Sequence, residues 1–415
     1  MKKDFTAHNY LSHIVEGGLY IGGLSFVNPN TILPGMISSL HGSSFLLSLA
    51  PSLSVIGFML PPILMAHHIS KQKKMMPMIR VSGVFQRLPY LLAAILLYIF
   101  LASTNAVLAI VILTPFISGM VGGITLTGWQ TLVQETVPPN KRASCFAWRM
   151  TVSGLTGVLG GLLSGWLIGH YPGVIGYAIL HFCCFVFMAL SYWVFTGIKE
   201  PDNYVPEQVS EDPSPLATLR EIPELLRKWP NFSRYMSSLN FSYGFLFITP
   251  FIAVYAKNFL QASDTIYANF TVFQMAGSLA GNFFSAYIGD KFGHKNLLVI
   301  SRMLMMLLFA AFIFASNTTH FMILFAIFGF AQNTMAIGQS AMTISICPAG
   351  KRTLSLATIT FVSMFYLLIF SYLGSLVWKY FNYGIFYPAI ISIAIMAISL
   401  YQIMRVREKW TGESN

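Results

Sequence analysis

About twelve stretches of this 415-residue chain stay apolar for roughly the 20 residues that a helix needs to cross a bilayer core. They fall into two sets of six, parted by one charged segment from Lys199 to Arg234. A soluble fold has no reason to repeat that length so often. In lipid the backbone of each stretch can satisfy its N–H and C=O groups only by coiling into a helix. The expected fold is therefore all-α and integral to the membrane, with about twelve transmembrane helices in two six-helix half-bundles. Two similar halves of this kind can rock about a site between them.

The first six spans are expected near 10–38, 44–66, 77–101, 106–135, 144–169 and 173–197. The second six are expected near 234–257, 265–288, 296–316, 320–346, 354–377 and 384–404. The domains follow as an N-terminal bundle over 1–198, a cytoplasmic linker over 199–233 and a C-terminal bundle over 234–415. Within the linker, Glu200 to Pro215 is acidic and proline-rich and reads as a tether. Leu216, Leu219, Ile222, Leu226 and Trp229 then recur at helical steps among basic residues, the pattern of a helix lying in the membrane interface.

Composition closes off other classes. Only 9% of residues are charged, against about 25% in soluble domains. The net charge of +11 is spread between the spans, so no nucleic-acid partner is expected. Cys145, Cys183, Cys184 and Cys347 lie in or beside apolar spans, with neither metal-ligand spacing nor a disulfide framework. His181 beside Cys183 and Cys184 reads as a packed histidine. No metal and no cofactor are expected. The first span is too long for a signal peptide and is expected to be retained.

Basic residues fix an orientation. Lys71, Lys73 and Lys74 follow span two, Lys141 and Arg142 span four, Lys291 and Lys295 span eight, Lys351 and Arg352 span ten. Arg405, Arg407 and Lys409 follow span twelve, whereas the alternate turns carry only Lys257 and Lys379. Both termini and the long linker are thus expected in the cytoplasm, and the compact chain is expected in the plasma (inner) membrane.

After span eight the chain reads Ala286-Tyr287-Ile288-Gly289-Asp290-Lys291-Phe292-Gly293-His294-Lys295. This resembles the loop signature of the major facilitator superfamily. Gly293 permits a tight turn, and Asp290 can accept free amide protons at a helix N-terminus. By resemblance Asp290, Gly293 and Lys295 belong to a gate. The corresponding first-half loop departs from the pattern, with His67 and Ser70 in place of the acid and the glycine. A second echo supports duplicated halves: Pro138-Pro139-Asn140-Lys141-Arg142 and Pro348-Ala349-Gly350-Lys351-Arg352 each place proline three residues before a Lys-Arg pair. The glycines of span five, from Gly154 to Gly169, read as close helix packing.

Ionisable groups inside spans are costly, at roughly 2.5–3.5 kcal/mol near a helix centre. Glu16 reads either as a proton-coupling carboxylate or as half of a structural pair. Arg87 reads either as the anchor of an anionic substrate, or as a partner of Glu16 or a snorkelling cation. Glu135 and Arg149 flank one cytoplasmic turn and read together as a gate or a fold-stabilising pair. The resemblance implies that spans one, four, seven and ten line a central cavity, helped by two, five, eight and eleven. The candidate ligands are then Tyr20, Asn28 and Asn30, Trp129 and Gln130, Asn240 and Tyr243, Gln274, and Gln332, Asn333 and Gln339. Pro29, Pro34 and Pro250 are expected to break or bend spans one and seven.

The function implied is a secondary active transporter working by alternating access. It would move a small polar or anionic solute, with a proton as the coupling ion, as a lipid-embedded monomer. Two alternatives stay open: an exporter of amphiphilic compounds, and a non-transporting sensor on the same fold. An intramembrane enzyme is disfavoured, since all five aspartates lie outside the span interiors. A nucleotide-driven pump is disfavoured by the lack of a phosphate-binding Gly-Lys-Ser/Thr loop.

Overall fold

A computed structural model describes residues 5–70, 74–201, 215–348 and 352–408. The first-half helices are α1 (Thr6–Leu24), α2 (Ile32–Ser39), α3 (Ser44–Ser70), α4 (Met76–Ile99), α5 (Thr104–Thr136), α6 (Pro139–His170) and α7 (Val174–Thr196). After them come α8 (Pro215–Lys228), α9 (Pro230–Ser242), α10 (Thr249–Leu260), α11 (Thr265–Phe292), α12 (His294–Ile313), α13 (Thr318–Ile346), α14 (Arg352–Tyr380) and α15 (Phe386–Met404). No strand occurs among the described residues. Among the described residues ten helical segments are long and apolar enough to cross a membrane by length and composition. The other two spans are α1 with α2, whose run is interrupted by His13, Glu16 and a break, and α11, which carries Gln274 and Asn282. Large apolar side chains face outward, with Trp193 at 74% and Phe314 at 78% exposure, which suits lipid and not water.

Spans one and seven are broken, as the prolines predict. Between α1 and α2 the Asn28 side chain accepts the Asn30 amide proton at 2.8 Å, closing an Asx-type turn around Pro29. Span seven runs as α9, a 3-10 segment from Tyr243 to Phe247, and then α10 with Pro250 in its first turn. Pro34 lies inside the short α2.

The chain forms two compact units. One comprises Met1–Gly42, Leu53–Asp212 and Ser263–Val272. The other comprises Ser43–Ser52, Pro213–Ala262 and Phe273–Asn415. In the first unit α1 packs along α6 and α7, and α4 along α5 and α7. The close approach of α1 and α6 is made at Gly17, Gly18 and Gly22 of α1 and at Gly160 of α6. In the second unit α12 packs on α13 and α15, and α9 on α15. The linker helix α8 belongs here too: it touches α9 and α14, with Ile222 and Leu225 buried. Its apolar side therefore meets protein as well as the expected interface. The proposed tether lies outside the described residues from 202 to 214, as do Lys71, Lys73, Lys351 and Lys409.

Each unit closes on the same clamp. In the first, the Asn9 side chain donates to the Lys199 carbonyl at 3.0 Å and accepts the Lys199 amide proton at 2.9 Å. The next residue, Glu200, takes the amide protons of Met75 and Met76 at 2.6 and 3.1 Å, at the N-terminus of α4. In the second, Asn231 and the Arg407 backbone make the same reciprocal pair, both bonds at 2.8 Å. Glu408 then accepts from His294 and Lys295 at 3.1 and 2.9 Å, at the N-terminus of α12. A carboxylate at that end meets free N–H groups and the positive pole of the helix. The duplication expected from the two Pro-Lys-Arg turns thus also appears as duplicated chemistry.

Candidate functional site

The first unit holds a cavity of about 130 Å³ lined by three charged side chains, Glu16, Arg87 and Arg149. Local sequence explains how each gets there. Glu16 lies on the inner face of α1. Arg149 reaches it from α6 by passing over Gly17, where any Cβ would collide with the guanidinium. Arg149 is bonded to Glu16 and donates to the His13 carbonyl at 2.9 Å. Its guanidinium also lies 4.7 Å from the centre of the Trp129 ring.

Arg87 sits on α4 two residues before Pro89, which interrupts the helical ladder. Ser118 of α5 donates to the Gln86 carbonyl at 2.7 Å and steadies this weakened turn. The Arg87 side chain is buried, and its Nε donates to the Met188 carbonyl of α7 at 2.7 Å. Its Nη1 donates to the Gly83 carbonyl at 2.8 Å and to Gln86 Oε1 at 3.3 Å. Nη2 has no hydrogen-bond partner among the described residues. The guanidinium lies 5.0 Å from the Tyr192 ring centre and 5.8 Å from that of Tyr20. Gln86 in turn donates to the Tyr20 hydroxyl at 2.7 Å, leaving that hydroxyl proton unspent. The indole N–H of Trp129 is buried with no partner among the described residues.

Several expectations need correcting. Glu16 pairs with Arg149 and not with Arg87, because Gly17 opens the path for Arg149 while Arg87 is drawn to backbone carbonyls of α4 and α7. Glu135 does not pair with Arg149. Both its carboxylate oxygens are buried without a hydrogen-bond partner among the described residues. It stands one residue before the end of α5, at the turn into α6. Burial, and then the neighbouring Glu200, pushes its carboxyl up to about 7.

Of the candidate ligands, Arg87, Tyr20 and Trp129 meet at this cavity together with Glu16. Gln130 is exposed and does not line it. Asn28 and Asn30 form the span-one turn. In the second unit the amides bind one another and nearby hydroxyls. Asn240 accepts from Ser363 at 2.8 Å, three residues before Tyr243. Gln339 donates to Ser242 at 3.1 Å, Gln274 to Gln332 at 3.1 Å, and Asn333 to Asn282 at 2.6 Å.

At the expected gate, Gly293 has φ +88°, the left-handed turn only glycine adopts at ease. The side chain of Asp290 lies outside what is described. The free amides of α12 go to Glu408, and the Lys295 ammonium donates to the Met404 and Val406 carbonyls at 2.8 Å each. Lys295 is thus tied within the second unit to the end of α15. His181 is fully buried and bonded to the Tyr177 carbonyl at 2.8 Å, a packed histidine as expected. No metal-binding cluster occurs among the described residues.

Gln86 and Tyr192, on spans three and six, line the cavity as well, although the resemblance implies lining by the other spans. Sequence reasoning also passed over Arg302 of α12, whose side chain is wholly buried. Its Nε donates to Ser399 at 2.6 Å and its Nη1 to the Leu298 carbonyl at 3.2 Å, while Nη2 has no partner among the described residues. A cation six residues into span nine was signal enough.

A family model described as MFS/sugar transport protein matches residues 74–374. No curated protein matches the chain in sequence. Among solved structures, a D-xylose-proton symporter superposes with TM-score 0.72 at 15% identity, covering 98% of this chain and 100% of that one. The nucleoside transporter NupG gives 0.71 at 13% identity, covering 95% and 98%. The human organic anion transporter MFSD10 gives 0.64 at 12%, covering 97% and 100%. Likenesses at such identity speak for the fold alone. With the matched family model and the membrane-crossing helices, the chain is a multi-pass membrane protein of the MFS/sugar transport protein family and a transporter of the major facilitator superfamily.

Proposed function

We propose that this transporter carries a small polar or anionic solute by alternating access, with the cavity of the first unit as its binding site. The observation that carries the reading is Arg87. It is a buried cation with no carboxylate partner among the described residues and one nitrogen unspent, beside Tyr20 and Trp129, which also hold unused donors. Burying a charge without a counter-charge is costly, and a bound anion offsets that cost.

Glu16 is the proposed proton-coupling group. Its ion pair with Arg149 joins α1 to α6 at the cavity wall. The basic turns support cytoplasmic termini in a plasma membrane, and a monomer suffices for a cavity built within one unit.

Proteoliposome uptake under an imposed pH gradient tests the reading. Anion uptake that depends on the gradient, is lost in Arg87→Gln, and is uncoupled from pH in Glu16→Gln is the expected result. Uptake of lipophilic cations, unchanged in both variants, would overturn it in favour of an amphiphile exporter. Saturable binding without any flux would point to a sensor.

A further inference from the structure

We infer, resting on the anion reading above, that the first-unit cavity takes a small organic monocarboxylate: one carboxylate on a compact apolar body.

Charge sets the valence. Glu16 and Arg149 cancel within their pair, so Arg87 leaves the cavity with one net positive charge. A monoanion neutralises it, a dianion brings a second charge with no partner, and a cation is repelled. The unspent polar groups sharpen this. Arg87 Nη2, the Tyr20 hydroxyl and the Trp129 indole are all donors still to be used. A carboxylate is an acceptor only and suits that set. A sugar hydroxyl both donates and accepts, and the carboxylate and amide acceptors here, Glu16 and Gln86 Oε1, are already engaged by Arg149 and Arg87.

The wall sets the body. Phe58, Ile79, Leu126 and Phe195 line the cavity beside the polar groups. Gly122 borders it: a Cβ there would lie 2.5 Å from Gln86 Nε2 and 2.6 Å from Phe58 Cζ, so those side chains would have to shift. A dry apolar cavity of about 150 Å³ admits benzene. The cavity here is of the same order at about 130 Å³ and is not closed, so an acid of butyrate to benzoate size suits it. Sulfate or phosphate would leave the apolar wall uncovered.

The test is a thermal-shift titration of the purified full-length protein with benzoate, butyrate, acetate, sulfate, phosphate, xylose and benzylamine, followed by counterflow of labelled benzoate in proteoliposomes. Benzoate or butyrate should stabilise saturably, and sulfate, phosphate, xylose and benzylamine should not. Arg87→Lys should weaken benzoate roughly tenfold or more, since the short ammonium cannot reproduce the guanidinium's reach. Gly122→Ala should weaken benzoate much more than acetate. If Gly122→Ala fails to fold, Trp129→Phe keeps the ring and removes one donor, and should weaken every carboxylate several-fold.

Stabilisation by sulfate or phosphate but not by the organic acids would overturn the carboxylate class and leave the anion reading standing. A response only to xylose or benzylamine, or to no probe, would overturn both. Benzoate binding unaffected by Gly122→Ala and Trp129→Phe would place the acid outside this cavity and overturn the inference.

Discussion

Glu16 and Arg149 form a buried ion pair that joins α1 to α6, each side chain less than a tenth exposed. Removing one partner strands the other charge. Glu16→Gln is expected to cost roughly 3–5 kcal/mol of stability. The double variant Glu16→Gln with Arg149→Met should recover most of that loss, because no charge is then left alone. Denaturation of the purified variants checks this; a double variant no better than the single one would mean that the pair is not the source of the cost.

The two terminal glutamates should be separable from the site. Glu200→Gln and Glu408→Gln each weaken a carboxylate's bonds to a helix N-terminus, an effect of about 1–2 kcal/mol. Melting temperature should fall in both, and hydrogen exchange should quicken at Met75 and Met76 in the first variant and at His294 and Lys295 in the second. Uniform exchange across the protein would remove the local role.

Stability should depend on pH through Glu135. The folded protein holds that carboxyl up to about 7, whereas an ordinary glutamate gives up its proton near 4.5. Between those values the native state binds the extra proton, so stability is fully present below about 4.5 and is lost as pH rises through about 7. Glu135→Gln should flatten this decline. Equal slopes in wild type and variant between about pH 5 and 8 would assign the dependence to other groups.

Arg302 should prove dispensable for stability. It is buried without a carboxylate partner among the described residues, and one nitrogen lacks a hydrogen bond. Arg302→Met fills similar volume without the charge and is expected to be neutral or stabilising by about 1–4 kcal/mol. Arg302→Ala leaves a hole and should cost about 2–5 kcal/mol instead. A large loss in Arg302→Met would show that the Ser399 bond matters more than the burial cost.

The fold was legible because bilayer thickness imposes a length on every span. Pro29 and Pro250 announced broken helices for an equally general reason, the missing N–H. The site was legible only in part. Arg87, Glu16, Trp129 and Tyr20 stood out as charged or amphipathic residues at depth. Who pairs with whom did not, since the Glu16–Arg149 contact depends on a glycine one residue along and on how α6 lies against α1. Gln86 and Tyr192 were missed because a rule about which spans line the cavity outweighed their own chemistry. Glu200 and Glu408 were hidden because what they bind is main chain, which no residue pattern advertises.

That last feature bears on how the two halves could diverge. Each clamp demands one asparagine and one glutamate, and takes everything else from backbone atoms, at residues as different as Met75 and His294. An ancestral repeat held this way is free to rewrite nearly all its side chains while keeping its joinery. One half could then acquire a charged cavity around Arg87 while the other sealed a lone cation, Arg302, in its interior.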